Sequence, residues 1–275
     1  LNGPAVWLPS WPDLSSDTHK YRRGHALVVG GEAHSTGAAR LAAESALRIG
    51  AGLVTLGVRA EALAIYASHL TAVMLRVLNE EDDFQTLLDD DRSSAVLVGP
   101  GCGISEFTKT RVFEILGSKK PCVLDADALS VFSDNPCELF RGTTDACVLT
   151  PHDGEYGRLF EEKGDRLSRA RLAAKVSGSV VLLKGGDSVI AAPDGRAAVT
   201  SNGPPALATA GSGDVLAGLI LGLLAQGCAP YHAACMAGWI HGESGRRLGN
   251  GLVSEDLNLV LPEIIDDVSH LIGLL

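Results

Sequence analysis

Ala26-Leu-Val-Val-Gly-Gly31 is a short apolar run that ends in two glycines, and apolar residues recur at helical spacing after it, over 37–49. The first pattern is typical of a buried strand and the second of an amphipathic helix, so together they predict a βα unit. Because the strand is apolar on both of its faces, it is expected in a parallel sheet that helices cover on each side.

The same unit recurs along the chain. Further apolar runs predict strands at 53–58, 95–99, 121–125, 147–150 and 180–184. Helical patterns lie between them, over 106–116, 128–132, 155–160 and 166–176. Pro193-Asp-Gly195 is a turn sequence between two further runs and predicts a hairpin of strands at 188–192 and 196–200. Only helices are predicted after it, over 215–226, 231–248 and 254–271.

These patterns predict an α/β fold of three layers, α/β/α, around a central and mostly parallel sheet. No repeat, low-complexity tract or linker divides the sequence. Residues 1–275 are therefore predicted to form a single domain, in which 1–18 are an N-terminal extension.

Composition and charge exclude several classes of protein. Acidic residues outnumber basic ones by 33 to 23, and the formal net charge of −10 argues against nucleic acid as a partner. No apolar run reaches the roughly 18 residues of a membrane span. Residues 1–16 lack the basic and apolar regions of a secretion signal. The 6 cysteines show no CxxC spacing, so we expect a reduced, cytoplasmic compartment and no metal binding through cysteine.

Polar or glycine-rich residues follow most of the predicted parallel strands. Ligands of open α/β sheets bind beyond the carboxyl ends of the strands, so these loops are candidates for a site. Asp125 and Asp127 follow one strand, and three interpretations are open: they hold Mg²⁺ through water, they polarise a substrate, or Asp127 only caps a helix. His152 either binds or protonates a substrate group, or is an exposed histidine that caps the next helix. Lys184 ends an apolar strand, where its charge requires a loop or an anion within reach.

Thr209-Ala-Gly-Ser-Gly-Asp214 is the most informative of these loops, because it opens a predicted helix. Its glycines allow a ligand to approach the backbone closely, and the free N–H groups at a helix N-terminus suit a phosphate. Asp214 is then either placed to meet a substrate hydroxyl or a developing alkoxide, or a first-turn residue that the helix dipole stabilises. Ser201-Asn-Gly-Pro-Pro205 precedes the loop and is predicted to be mobile and to close over a ligand.

Other nucleotide and hydrolase signatures are missing from the sequence. It contains neither a GxxxxGK[ST] P-loop nor a GxGxxG with a following acidic strand end. Ser212 lies directly between two glycines and not in a GxSxG elbow. A serine hydrolase that uses Ser212 and His241 is therefore disfavoured.

Several motifs, taken in order, resemble those of the ADP-dependent NAD(P)H-hydrate dehydratases, a family with a ribokinase-like fold. The likeness spans about residues 19–245, and the ordered set is far more specific than any single motif. The matching stretches are His19-Lys20, Gly24-His-Ala-Leu-Val-Val-Gly-Gly31, Gly37-Ala-Ala39, Arg48-Ile-Gly-Ala-Gly-Leu-Val-Thr55, Gly99-Pro-Gly-Cys-Gly103, Val123-Leu-Asp-Ala-Asp-Ala-Leu129, Leu149-Thr-Pro-His-Asp-Gly-Glu155, Leu182-Leu-Lys-Gly185, Gly211-Ser-Gly-Asp-Val-Leu-Ala-Gly218 and Leu224-Ala-Gln-Gly227.

The resemblance implies an enzyme, a lyase that repairs nicotinamide cofactors whose ring has been hydrated. ADP, the co-substrate, would phosphorylate the ring hydroxyl of the S-form of hydrated NADH or NADPH, and loss of phosphate would restore NADH or NADPH and leave AMP. Mg²⁺ is the expected cofactor, because the transferred phosphoryl group carries charge that must be offset. The family also implies a homotetramer and a separate epimerase as a functional partner.

Carried over residue by residue, the resemblance gives Asp214 the role of catalytic base. It places Ala38, Gly103, His152 and Asp214 on the substrate. The nucleotide is expected to contact Lys184, Gly185, Gly186, Asp187, Ser188, Asn202, Gly211, Ser212 and Gly213, whereas the metal ligands are not assigned.

This sequence departs from the family pattern at several places, among them Cys102, where the family has a leucine, and 69–74, where its usual Pro-Glu pair is not evident. Two other departures concern the predicted site. Ser35 stands where the family commonly has a tyrosine, which affects the substrate side of the site. The nucleotide loop is Lys-Gly-Gly-Asp-Ser in place of Lys-Gly-Ala-x-Thr, and Ser188 keeps the hydroxyl of that threonine.

Two other functions are weighed against this one. A small-molecule kinase of the ribokinase-like group, similar to hydroxyethylthiazole kinase, also uses Gly-x-Gly-Asp. Thr150-Pro-His-Asp-Gly-Glu155 and Gly37-Ala-Ala39 fit the dehydratase better. The second alternative is a nucleotide-binding module without catalytic activity, and the intact Asp214 argues against it.

Overall fold

Of the 275 residues, the computed structural model describes 1–12, 23–78, 81–160 and 164–272. Residues 13–18 of the predicted extension and the His19-Lys20 motif lie outside the described residues.

A nine-stranded sheet forms the centre of the described structure, with spatial order β3-β2-β1-β4-β5-β6-β7-β8-β9. Neighbouring strands from β3 to β7 are parallel, whereas β8 and β9 run antiparallel as the predicted hairpin. The strands are β1 His25–Val29, β2 Leu53–Val58, β3 Met74–Val77, β4 Ser93–Val98, β5 Cys122–Leu124, β6 Cys147–Leu149, β7 Val180–Leu183, β8 Ser188–Ala191 and β9 Ala197–Thr200.

Helices cover both faces of this sheet. They are α1 Pro4–Trp7, α2 Thr36–Arg48, α3 Leu63–Ala67, α4 Glu81–Asp89, α5 Glu106–Ser118, α6 Asp127–Ser130, α7 Pro136–Phe140, α8 Asp153–Leu159, α9 Arg166–Ser177, α10 Ser212–Ala225, α11 Pro230–Leu248 and α12 Ser254–Ile272. Among these described helices, none combines the length and apolar character that crossing a membrane would need.

Successive side chains of a strand enter two different hydrophobic cores. In β1, Ala26 and Val28 face the core that holds the buried residues of α2, α10, α11 and α12, while Leu27 and Val29 face the core of α4 to α9. Period-two alternation between two apolar environments is the reason why the strand sequence is apolar throughout. The three-layer α/β/α arrangement and the mostly parallel sheet are therefore confirmed.

Helix α10 packs unusually close to α2, because two of its glycines face that helix. A Cβ atom on Gly218 would lie 2.2 Å from the carbonyl oxygen of Ala42, and one on Gly222 would lie 2.3 Å from Cγ2 of Ile49. Only a glycine fits such a backbone approach. This packing holds the N-terminus of α10 at the carboxyl edge of the sheet.

Candidate functional site

A cavity of about 930 Å³ opens at the carboxyl edge of the sheet. Its walls are the loops after β5, β6, β7 and β9, the first turn of α10 and one face of α11. This is the position at which parallel sheets bind ligands, as the sequence predicted.

The cavity brings together most of the residues that the resemblance assigns to the site. Those lining it are His152, Lys184, Gly185, Gly186, Ser188, Gly211, Ser212, Gly213 and Asp214. Those not lining it are Ala38, Gly103, Asp187 and Asn202. The functional role of each residue stays a prediction.

The first turn of α10 has the geometry of an anion site. Gly211 precedes the helix with a φ of +87°, a left-handed conformation that favours glycine. The first N–H groups of a helix have no partner within it. A Cβ atom on Gly213 would lie 3.4 Å from the ammonium nitrogen Nζ of Lys184. Backbone amides and a cation thus meet at one point of the cavity, which suits a phosphate.

Lys184 is the cation of a buried charge cluster. Its Nζ lies 2.7 Å from Oδ1 of Asp125 and 3.9 Å from Oε2 of Glu155. Burial alone would lower the pKa of Lys184, but the charges of Asp125 and Glu155 outweigh it and hold that pKa above its ordinary value. Burial also raises the pKa of Glu155, against the opposing attraction of Lys184. Lys184 is therefore positively charged at neutral pH.

Asp214 has the acidity that proton transfer near neutral pH requires. Burial, followed by repulsion from Asp125, raises the pKa of Asp214 to about 7, although Lys184 acts in the opposite direction. Within the described part of the chain its carboxylate makes no hydrogen bond or ion pair, and it does not cap α10. A half-buried carboxylate with this pKa and open to a cavity is suited to take a proton from a ligand.

His152 caps helix α8. The Nδ1 of its ring accepts hydrogen bonds from the backbone N–H groups of Gly154 at 2.9 Å and Glu155 at 3.2 Å. The backbone N–H of His152 donates in return to Oε2 of Glu155 at 2.8 Å. This reciprocal pattern is a capping box, so the capping interpretation is confirmed. Because Nδ1 only accepts here, Nε2 is the ring nitrogen left to donate.

His241 lies against the first residue of α10. Its Nε2 is 2.9 Å from Oγ of Ser212 and 3.0 Å from the carbonyl oxygen of Ser212. A carbonyl oxygen only accepts, so Nε2 carries the hydrogen. Burial lowers the pKa of His241 to about 4. Such a neutral imidazole cannot take the proton of Ser212, which argues further against a serine hydrolase.

The loop over 201–205 is fastened to α11 and at the same time covers the cavity. Nδ2 of Asn202 donates to the carbonyl oxygen of Trp239 at 2.9 Å. Gly242 makes room for this contact, since a Cβ there would lie 2.3 Å from Oδ1 of Asn202. Gly203 and the two prolines after it line the cavity. The loop thus lies at the cavity with Asn202 as its anchor to the helix, whereas its mobility and its closure over a ligand stay predictions.

Ala38 lies in the first turn of α2, and Gly103 lies in the loop between β4 and α5, next to Asp127. The N–H of Gly103 donates to Oδ2 of Asp127 at 2.8 Å, and a Cβ on Gly101 would lie 3.5 Å from that of Ala38. Asp127 is close enough to Asp214 for its charge to raise the pKa of that residue. The predicted substrate contacts are thus divided: His152 and Asp214 line the cavity, whereas Ala38 and Gly103 do not.

The two aspartates proposed for Mg²⁺ are engaged with protein groups. Oδ1 of Asp125 pairs with Lys184, and Oδ2 of Asp127 accepts from Gly103. Asp127 makes no side-chain cap on α6, so that alternative is wrong. Across residues 1–12, 23–78, 81–160 and 164–272, no group of three or more His, Cys, Asp or Glu side chains is arranged to hold a metal ion.

Sequence reasoning missed part of the cavity wall. Thr200, Gly238 and Gly242 line it together with Leu207 and Leu216. Gly238 and Gly242 are four residues apart and so share one face of α11. That spacing was the available signal, since small residues on one face indicate a close neighbour.

The sequence is similar to those of several known proteins. The family model of the NAD(P)H-hydrate dehydratases matches residues 26–265. The ADP-dependent (S)-NAD(P)H-hydrate dehydratase of Neisseria meningitidis is 37% identical over 239 residues, which cover 83% of this chain and 78% of that protein. The bifunctional NAD(P)H-hydrate repair enzyme Nnr of Salinibacter ruber is 38% identical over 92% of this chain and 50% of its own length. The chain thus spans about half the length of such bifunctional relatives.

Solved structures share the fold. The ADP/ATP-dependent NAD(P)H-hydrate dehydratase of Bacillus subtilis, co-crystallised with ATP and Mg²⁺, is 27% identical, with a TM-score of 0.80 over 95% of both chains. A ribokinase-like protein of Enterococcus faecalis has a TM-score of 0.85 over 97% of this chain and 95% of its own, at 22% identity. The ribokinase-like fold is confirmed.

Proposed function

The chain belongs to the NAD(P)H-hydrate dehydratase family, and on that premise we propose that it dehydrates the S-form of hydrated NADH and NADPH with ADP as co-substrate. The products are NADH or NADPH, AMP and phosphate. One observation carries this proposal. The carboxylate of Asp214, with a pKa of about 7, lies in the same cavity as an anion site whose cation is Lys184.

Asp214 takes the proton of the ring hydroxyl as that oxygen attacks the terminal phosphorus of ADP. The bond from this phosphorus to the bridging oxygen breaks, and AMP leaves. The ring then carries a phosphate ester, a far better leaving group than hydroxide. The phosphate then leaves from its ring carbon, the neighbouring ring carbon loses a proton to the departing phosphate, and the double bond of NADH or NADPH is restored. Each step conserves atoms and charge, and none changes the redox state of the ring.

The backbone amides at the start of α10 and Nζ of Lys184 hold the transferred phosphoryl group. Their fixed positions suit charge that develops during transfer, because preorganised donors need no rearrangement when the reaction occurs. Asp125 and Glu155 keep Lys184 charged and in place. Ser188 closes the loop after β7, where its Oγ donates to the carbonyl oxygen of Gly185 at 3.2 Å.

Mg²⁺ is proposed to enter with the nucleotide. The described residues offer no cluster of three ligands for it, which fits an ion held mainly by phosphate oxygens and water. When bound there, it would offset the charge of the diphosphate. The Bacillus subtilis relative was co-crystallised with ATP and Mg²⁺, which supports the assignment.

The test follows the near-ultraviolet absorbance of reduced nicotinamide while the protein acts on hydrated NADH with Mg²⁺ and ADP, ATP or no nucleotide. We expect the absorbance to recover with ADP and not without nucleotide. Recovery with ATP alone would overturn the choice of phosphoryl donor. Failure with both nucleotides would favour the small-molecule kinase or the silent binding module instead.

Oligomeric state, location, domain organisation and the partner epimerase are parts of the same proposal. We propose a homotetramer in the cytoplasm in which residues 1–275 form one domain, with an epimerase as a functional partner. Leu259 of α12 is 65% exposed and Val253, just before that helix, is 49% exposed, which supports a contact between subunits there. Light scattering that finds monomers at micromolar concentration would contradict the tetramer.

A further inference from the structure

Residues 2–11, which we call the N-terminal arm, pack against helix α11. Trp7 is fully buried, and its ring centroid lies 5.9 Å from that of Trp11 and 5.7 Å from that of Trp239 on α11. Oγ of Ser10 lies 2.8 Å from Nδ1 of His232 on the same helix. These contacts hold the arm against a helix that forms one wall of the cavity.

Asn2 links the arm to the last strand of the sheet. Its backbone N–H donates to the carbonyl oxygen of Val199 at 2.7 Å. Its side-chain Nδ2 donates to the carbonyl oxygen of Cys235 at 2.7 Å and to Oγ1 of Thr200 at 2.9 Å. Because the carbonyl of Cys235 only accepts, the nitrogen of the amide must face this way, and the bond to Thr200 is donated by Asn2.

Thr200 therefore has a hydroxyl hydrogen still to donate. Its oxygen is occupied as an acceptor, and among the described residues no acceptor for its hydrogen is found. Thr200 is only 5% exposed and lines the cavity. A buried donor without an acceptor is unfavourable, so this hydrogen is available to an acceptor on a ligand in the cavity.

The place of Thr200 indicates which part of a nucleotide it would meet. The phosphate end of the cavity is marked by the Gly213 amide and Lys184. Thr200 adjoins another wall of the cavity, because a Cβ on Gly238 of α11 would lie 3.2 Å from its Oγ1. Pro204 and Leu207 add apolar surface to the lining of the same cavity. Apolar walls with a few polar groups are usual in sites for small molecules. We infer that this wall accommodates the flat base of a nucleotide.

We propose that Thr200 recognises the adenine base of ADP by donating its hydroxyl hydrogen to a ring nitrogen, and that Asn2 is the positioning residue that orients this hydroxyl. The inference rests on the proposed function only in taking ADP as the ligand. It extends the nucleotide site to the N-terminal arm, about 200 residues away in sequence.

The direct test is calorimetric titration of Thr200→Val and Thr200→Ser with ADP and, separately, with inorganic diphosphate. We expect Thr200→Val to bind ADP about three- to tenfold more weakly, as for loss of one hydrogen bond. Thr200→Ser should bind ADP nearly as wild type, and diphosphate binding should be the same in all three proteins. Unchanged ADP affinity of Thr200→Val, equal weakening by serine and valine, or parallel weakening for diphosphate would each overturn the proposal.

Asn2→Ala tests the positioning role. It should weaken ADP binding in the wild-type background and have no further effect in Thr200→Val, since the hydroxyl that it orients is then gone. Additive losses in the double variant would show that Asn2 acts through the packing of the arm, which contradicts the proposal. These titrations need no turnover, so their outcome is separate from whether hydrated NADH is the substrate.

Discussion

At the scale of single residues, the charge of Asp214 governs the pH dependence of activity. A base must be unprotonated, and the pKa of Asp214 is about 7. We therefore expect kcat/KM at saturating ADP to fall about tenfold for each pH unit below this value and to level off above it. Rates measured in overlapping buffers check the profile. A profile that stays flat down to pH 5 would exclude Asp214 as the base.

The same pKa makes Asp214 unfavourable for stability. Its folded pKa, about 7, lies above the ordinary 3.8, so its contribution is fully present below pH 3.8 and is lost as the pH rises through 7. Asp214→Asn does not ionise and should unfold at a higher temperature than wild type above pH 7. The advantage should vanish toward pH 3.8. A difference in unfolding midpoint that is the same at every pH would contradict this explanation.

Sequence reasoning identified the polar residues of the site better than their contacts. The loops that hold Asp214 and Lys184 were predicted, because glycine and charge at strand ends are visible in the chain. The buried pair of Lys184 with Asp125 was not predicted, since it joins residues 59 positions apart. The pKa of Asp214 depends on burial by several elements and is not encoded in its own neighbourhood.

At the scale of elements, the N-terminus of α10 is where space matters most. A methyl group on Gly213 would stand 3.4 Å from Nζ of Lys184, an ordinary contact, but in the place where the phosphoryl group must lie. We expect Gly213→Ala to keep its unfolding temperature and to lose turnover by about tenfold or more.

The control is Gly117→Ala on α5, where an added Cβ meets nothing within 4 Å. It should leave turnover unchanged. Wild-type turnover in Gly213→Ala would mean that the phosphoryl group binds elsewhere.

Two elements show why boundaries and edges were predicted less well. Helix α10 begins at Ser212, three residues before the predicted start at 215. The prediction missed this first turn because it contains Ser and Gly, which are poor helix formers. Strand β3, Met74–Val77, was not predicted. It is short, it lies at the sheet edge, and it alternates exposed and half-buried residues. This segment is a strand because it pairs with β2 at the edge of the sheet, a contact that its own sequence does not reveal.

At the scale of the whole molecule, the close approach of α10 to α2 positions the site. Gly218→Ala would place a methyl group 2.2 Å from a backbone oxygen of α2, which cannot move aside alone. We expect a loss of about 3 kcal/mol in the free energy of unfolding, measured by urea titration.

Gly157→Ala on α8 is the matched control for that substitution, because nothing lies within 4 Å of its added Cβ. It should stabilise the protein by about 0.5 to 1 kcal/mol, as alanine does in a helix. If the two variants changed stability alike, the packing of α10 on α2 would not be what holds the site together.

The role of Asp214 is tested most directly by comparing Asp214→Asn with wild type for two quantities, turnover of hydrated NADH and the Kd for ADP. We expect turnover to fall by about 100-fold or more and the Kd to change by less than about threefold, because a general base is lost and the anion site remains. Undiminished turnover would contradict the assignment of Asp214 as the base, and loss of ADP binding would make it a nucleotide ligand instead.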